Sequence, residues 1–95
     1  MERIQVASIQ ELFGLEGKTA LIIGSSSGLG RESAEALAAA GARIGLMARR
    51  SSLLEEVADS CRSYGSEVDW IQVDATQRSE LESGISSLES KLGEI

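Results

Sequence analysis

The sequence predicts an α/β fold with a doubly wound parallel sheet, and three observations support this class. Short apolar runs alternate three times with longer segments in which apolar residues recur at helical spacing. A glycine-rich turn joins the first apolar run to the first helical segment. The chain contains no proline to interrupt this pattern. Regular alternation of strand and helix indicates a parallel sheet with right-handed crossovers and helices on both faces.

The first strand is predicted at residues 19–23, where continuous apolar character fits a strand buried on both faces. The first helix is predicted at 28–40 and ends at Gly41, since glycine is favoured just past a helix C-terminus. Its inward-facing stripe is predicted to be Leu29, Ser33, Leu37 and Ala40.

The second strand is predicted at 43–48 and the second helix at 51–64, with Ser51 as its N-cap. Within this helix Cys61 falls on the apolar face and is predicted to be buried. The third strand is predicted at 67–73, and the third helix starts near Thr76. Gly84 lies inside that helix and costs about 1 kcal/mol relative to alanine on propensity alone. The inward stripe of the third helix is Leu81, Ile85, Leu88 and Leu92.

These elements make residues 1–95 a single partial domain. Residues 1–17 form an approach segment, in which Ser8 could cap a short helix and Phe13 and Leu15 are predicted to cover the bottom of the sheet. Residues 18–95 carry the βαβαβα pattern. We expect the strand order 3-2-1, which is one mononucleotide-binding half of a Rossmann-type fold.

Composition excludes several classes of function. A net charge of −6 and a pI near 4.6 leave no basic stripe for nucleic acid. No apolar run approaches the roughly 18 residues of a membrane span, and the N-terminus lacks the apolar core of a signal peptide, so we expect a cytoplasmic protein. One cysteine excludes an internal disulfide. The absence of histidine argues against a metal site and against a self-contained hydrolase.

The glycine run at residues 24–30 has the layout of a phosphate-binding turn. Its glycines, Gly24, Gly28 and Gly30, stand between a strand and a helix. Glycine lets the backbone approach a ligand closely, and a helix N-terminus offers unpaired N–H groups and a positive dipole end to an anion. The spacing differs from the commoner Gly-x-Gly-x-x-Gly, so its meaning depends on context.

That context lies at the ends of the predicted strands, where ligands bind in such sheets. Gly24, Arg49 and Asp74 each follow one strand and are predicted to lie along one edge. Arg49 and Arg50 stand where an NAD-binding fold has an acid for the ribose 2′-hydroxyl. Guanidinium groups suit the 2′-phosphate of NADP instead, although two arginines could also simply solvate a strand end. Asp74 could accept a hydrogen bond from the adenine amino group, or lead into the next helix near its positive dipole end.

Together these residues resemble the N-terminal nucleotide-binding half of the short-chain dehydrogenase/reductase family. The resemblance rests on residues 17–31, on 41–43 before the second strand, on Arg49-Arg50 and on the segment Val73-Asp74-Ala75-Thr76. It implies an oxidoreductase that transfers hydride between NADP(H), preferred over NAD(H), and a small carbonyl or alcohol substrate. It also implies roles for particular residues: Gly24, Gly28, Leu29 and Gly30 at the pyrophosphate, Ser26 and Ser27 near the adenosine ribose phosphate, Arg49 at the 2′-phosphate, and Asp74 with the Ala75 backbone at adenine.

Two departures from the family pattern affect this interpretation. Ile23 stands where the family usually has threonine, so a hydroxyl that ties the turn is lost or replaced. The family's Asn-Asn-Ala-Gly element, catalytic serine and Tyr-x-x-x-Lys pair have no counterpart here, and the only tyrosine, Tyr64, is followed four residues later by Val68. We therefore predict no catalytic residue in these 95 residues. The alternative is a non-catalytic NADP-binding or interaction module.

In the complete family fold another strand pairs with the first strand. That side of the first strand has no partner in this sequence, so we also expect self-association into a homo-oligomer.

Overall fold

The structure, a computed structural model, describes residues 15–24, 30–74 and 76–95. The predictions made for Ser8, Phe13, Ser26, Ser27, Gly28, Leu29 and Ala75 lie outside the described residues. Three strands and three helices alternate along the chain, as predicted. They are β1 (Thr19–Ile23), α1 (Arg31–Ala39), β2 (Arg43–Ala48), α2 (Ser51–Arg62), β3 (Val68–Gln72) and α3 (Arg78–Leu92).

The three strands form one parallel sheet with β2 in the centre. The register pairs Ile23 with Met47 and Met47 with Ile71, so all three strands end at the same edge. The order β1-β2-β3 is the predicted order 3-2-1 seen from the other side. The Rossmann-type fold class is therefore confirmed.

Alternate residues of β2 face opposite sides of the sheet, because side chains in a strand alternate with a period of two. Ile44 and Leu46 point towards α1 and α2, whereas Met47 points towards α3. The larger cluster contains Ala34, Ala38, Leu54, Val57, Cys61 and Val68 as well, and the smaller one contains Val73, Leu88 and Leu92. Helices cover both faces, and Cys61 is fully buried as predicted.

The predicted inward stripe of α1 is partly wrong. Ser33 is exposed, whereas Leu37 is partly buried and packs against the larger cluster. Ala34 and Ala38, which the predicted stripe does not include, are buried against the sheet. Ala40 is buried as predicted. This segment is rich in alanine, so the sequence pattern does not distinguish one face of the helix from the next.

Several element ends also differ from the prediction. Ser51 is the first residue of α2, and Arg50 occupies the N-cap position in an extended conformation. A turn closed by the bond from the Gln77 N–H to the Asp74 carbonyl, at 2.9 Å, delays α3 until Arg78. Helix α2 ends at Arg62 rather than Tyr64, and β3 is one residue shorter at each end than predicted.

Gly84 allows α3 to lie close to the sheet. A Cβ atom built on Gly84 would stand 2.6 Å from the Met47 Cε atom and 3.2 Å from the Val73 Cγ1 atom. A side chain here would require Met47 and Val73 to shift, so packing favours the glycine that propensity disfavours. None of the helices described in residues 30–74 and 76–95 combines the length and apolar character needed to cross a membrane.

Candidate functional site

The carboxyl ends of the three strands form a single row. The Gly24 N–H donates to the Met47 carbonyl at 2.7 Å, and the Val73 N–H donates to the Ala48 carbonyl at 2.9 Å. These bonds hold the residues after each strand side by side. Gly24, Arg49 and Asp74 therefore lie along one edge, as the strand alternation predicts.

Helix α1 points its N-terminus towards this edge. Gly30 is its exposed N-cap, and the first helical bond runs from the Ala34 N–H to the Gly30 carbonyl at 2.9 Å. The N–H groups before Ala34 have no partner within the helix, and Gly30 supplies no side-chain cap. The first turn therefore presents hydrogen-bond donors and the positive end of the helix dipole.

Gly30 is not required by the packing of the described residues. Its φ of −75° is accessible to any residue, and a Cβ atom built there would come no closer than 3.8 Å to its neighbours. Gly24 is buried at the end of β1. Packing among the described residues therefore gives no reason for a glycine here, and close approach of a ligand to the backbone would give one.

Ion pairs and a hydrogen bond connect the start of α1 to α2. The Arg31 guanidinium donates to Glu35 at 2.8 Å and to Glu56 on α2 at 3.3 Å. The Ser60 hydroxyl donates to Glu35 at 2.6 Å, and this bond, followed by the one from Arg31, lowers the pKa of Glu35. The charge of Arg31 is therefore shared with two carboxylates of the protein.

Unlike Arg31, Arg49 and Arg50 form no ion pair with the described residues. Both are exposed, and among the described residues no carboxylate lies within 4.0 Å of either guanidinium. They form the link between β2 and α2, at the same edge as the N-terminus of α1. The pair is available to an anionic ligand.

Arg49 also borders an open cleft of about 400 Å³. The cleft is lined by Arg49, Gln72, Val73, Asp74 and Glu80. The Gln72 side-chain amide donates to the Arg49 carbonyl at 2.7 Å, which ties β3 to the link after β2. Gln72 could not be singled out from the sequence, because one glutamine at a strand end carries no distinctive pattern.

Asp74 is held in place by Thr76. One carboxylate oxygen of Asp74, Oδ1, accepts from the Thr76 N–H at 3.0 Å and from the Thr76 hydroxyl at 2.6 Å. The hydroxyl bond first, then the backbone bond, lowers the pKa of Asp74, and the positive charge of Arg49 contributes in the same direction. These two bonds use only Oδ1, so Oδ2 can accept a hydrogen bond from a ligand. This role of Thr76 does not follow from the sequence pattern.

Five of the residues predicted from sequence lie at this edge: Gly24, Gly30, Arg49, Arg50 and Asp74. In the part of the chain that the structure describes, no group of three or more histidine, cysteine or acidic side chains is placed to hold a metal ion. Parallel sheets with helices on both faces bind ligands outside the carboxyl ends of their strands. The fold and this edge define a protein of the Rossmann-type α/β class.

The particular family follows from comparison with known proteins. The sequence pattern that describes the short chain dehydrogenase family matches residues 18–95. A short chain dehydrogenase of Pseudocercospora fijiensis is 35% identical over 81 residues, which cover 85% of this chain and 26% of that protein. The chain therefore belongs to the short-chain dehydrogenase/reductase family, the family that the motifs resemble.

Solved structures agree with this assignment. A short-chain type dehydrogenase/reductase from Mycobacterium marinum is 35% identical, with a TM-score of 0.78 over 97% of this chain and 36% of that one. L-sorbose reductase from Gluconobacter frateurii, solved with NADPH and L-sorbose, is 35% identical, with a TM-score of 0.70 over 83% of this chain and 30% of that one. The chain thus spans about a quarter to a third of the length of these relatives.

Proposed function

We propose that this chain binds the adenosine half of NADP(H), in preference to NAD(H), as the nucleotide-binding part of an oxidoreductase. The observation that carries the proposal is the pair of exposed arginines after β2. Among the described residues neither is paired with a carboxylate, and no acid stands at that position to hold a ribose 2′-hydroxyl. A guanidinium there is suited to a 2′-phosphate.

The other parts of the cofactor, the pyrophosphate and the adenine, would contact other residues along the same edge. The pyrophosphate would lie at the N-terminus of α1, against Gly24 and Gly30, where unpaired N–H groups favour an anion. Asp74 would accept from the adenine amino group through Oδ2, beside the cleft that Arg49 also lines. By family resemblance Ser26, Ser27, Gly28, Leu29 and the Ala75 backbone complete the site.

When bound, the nicotinamide would carry hydride to or from a small carbonyl or alcohol substrate. L-sorbose reductase, one of the similar proteins, was solved with NADPH. The only tyrosine of this sequence, Tyr64, is followed by Val68 at the position where the family has lysine. These 95 residues therefore carry no Tyr-x-x-x-Lys pair, so the role proposed for them is cofactor binding and not proton transfer.

Fragments of the cofactor provide a direct test of this role. Adenosine 2′,5′-bisphosphate carries the 2′-phosphate, whereas 5′-AMP is the same nucleotide without it. A charge-assisted hydrogen bond contributes about 1.5–3 kcal/mol, so calorimetric titration should give about ten- to a hundredfold tighter binding of the bisphosphate. Equal affinities for the two nucleotides would contradict the proposed preference, and binding of neither would contradict the site itself.

A further inference from the structure

The link between β2 and α2 consists of two residues, Arg49 and Arg50. Its backbone is fixed on both sides. Before the link, the Ala48 carbonyl accepts from the Val73 N–H at 2.9 Å. After it, the Arg50 carbonyl accepts from the Leu54 N–H at 3.2 Å and begins α2. What remains to be fixed is the peptide group that joins the two arginines.

Gln72 fixes that peptide group. The Gln72 Nε2 atom donates to the Arg49 carbonyl at 2.7 Å, which is a well-formed hydrogen bond. Ala48 is the register partner of Gln72, so the side chain reaches one residue beyond the end of the sheet. The bond ties the end of β3 to the link and holds the peptide group between the two arginines.

We propose that Gln72 is a positioning residue that sets the cofactor preference by orienting Arg49 and Arg50. This inference depends on the function proposed above. Long arginine side chains lose conformational freedom when they bind a phosphate, and a fixed backbone reduces that loss. NAD(H) lacks the 2′-phosphate and gains nothing from oriented arginines. Gln72 therefore affects the binding of NADPH and leaves that of NADH nearly unchanged.

Two substitutions test this role in the 95-residue chain. Gln72→Met keeps the length of the side chain and removes the donor. Gln72→Glu keeps the shape but places carboxylate oxygens against the Arg49 carbonyl, so its effect should be the larger one. Gln77→Met is the matched control, because Gln77 is also exposed and its side chain makes no hydrogen bond to Arg49.

Titration of NADPH and NADH into each variant gives the ratio of the two dissociation constants. One neutral hydrogen bond corresponds to about a two- to tenfold change in affinity. We expect Gln72→Met to reduce the preference for NADPH by that factor, while NADH binding stays unchanged and the chain remains folded. Gln77→Met should retain the full preference.

The possible failures can be told apart. A wild-type chain that prefers NADPH, with the same preference in both Gln72 variants, would overturn the role of Gln72 and leave the proposed function standing. An equal loss of NADPH and NADH affinity in the variants would also overturn it, since it indicates general damage to the site. A wild-type chain without any preference would overturn the proposed function, and this inference with it.

Discussion

Thr76 donates two hydrogen bonds to a single oxygen of Asp74, one from its N–H at 3.0 Å and one from its hydroxyl at 2.6 Å. Both bonds favour the ionised carboxylate and lower the pKa of Asp74. The carboxylate is thereby kept ionised, as an acceptor, at the edge where we propose that adenine binds.

Replacing Thr76 by valine should raise the pKa of Asp74 towards its ordinary value, because the hydroxyl bond makes the largest contribution to the shift. Thr76→Ser retains the hydroxyl and should keep the low pKa. An NMR titration of the Asp74 carboxyl carbon measures both. The same pKa in the valine variant and the wild type would contradict this account.

The same shift predicts how stability depends on pH. Folded Asp74 has a lower pKa than the unfolded chain, so its ionisation stabilises the fold above the unfolded pKa of about 3.9. That contribution is lost as the pH falls from there through the lower folded pKa. Thr76→Val should therefore lose less stability across this acidic window than the wild type, which acid titration followed by circular dichroism can measure.

Gly84→Ala should destabilise the fold despite the better helix propensity of alanine. The added Cβ would meet the buried Met47 and the stiff Val73 side chain. Overpacking costs about 1–3 kcal/mol, and propensity returns about 1 kcal/mol, so we expect a net loss of about 1 kcal/mol by chemical denaturation. Ser86→Ala, at an exposed position of α3, is the control and should not destabilise. A more stable Gly84→Ala variant would show that α3 can move away from the sheet.

Gly30→Ala should weaken cofactor binding without destabilising the fold. The methyl group would make only ordinary contacts with the described residues, and φ is favourable, so the stability should change by less than about 1 kcal/mol. If the pyrophosphate approaches the backbone here, the same methyl group should weaken NADPH binding at least about tenfold, which corresponds to 1.4 kcal/mol. Unchanged affinity in calorimetry would move the phosphate away from the N-terminus of α1.

The chain should self-associate through β1. Among the described residues β1 pairs with β2 alone, and Ile23 at its end is 44% exposed. An apolar strand without a partner on one side promotes pairing with another chain. Sedimentation at tens of micromolar should show dimers or larger species, and Ile23→Lys should reduce them. Tyr64→Lys, at an equally exposed position after α2, is the control. A single monomeric species in the wild type would contradict this prediction.

Sequence patterns predicted the strands better than the details around them. The ranges of β1 and β2 match the prediction, since each is a continuous apolar run with a clear boundary. The buried face of α1 was predicted only in part, because alanine repeats there without a period. The role of Gly84 depends on which residue of β2 lies beneath it, and propensity contains no such information.

In the candidate site, too, the positions set by the strands were predicted and the individual side-chain contacts were not. Arg49 and Asp74 were predicted because each follows a strand, and parallel strands end at one edge. Gln72 and Thr76 were not predicted, because their importance depends on which atoms accept their hydrogen bonds. A polar residue near a strand end is common, and only the structure shows that the Gln72 amide reaches the Arg49 carbonyl.

The central claim, that the exposed arginines after β2 select NADP(H), is tested most directly by titrating NADPH and NADH into the wild type and Arg49→Ala. Arg50→Ala serves as the companion variant. Loss of a charge-assisted hydrogen bond should reduce the preference for NADPH by about ten- to a hundredfold in Arg49→Ala while NADH binding stays the same. An unchanged preference in Arg49→Ala and a loss in Arg50→Ala would transfer the role to Arg50. An unchanged preference in both variants would contradict the claim.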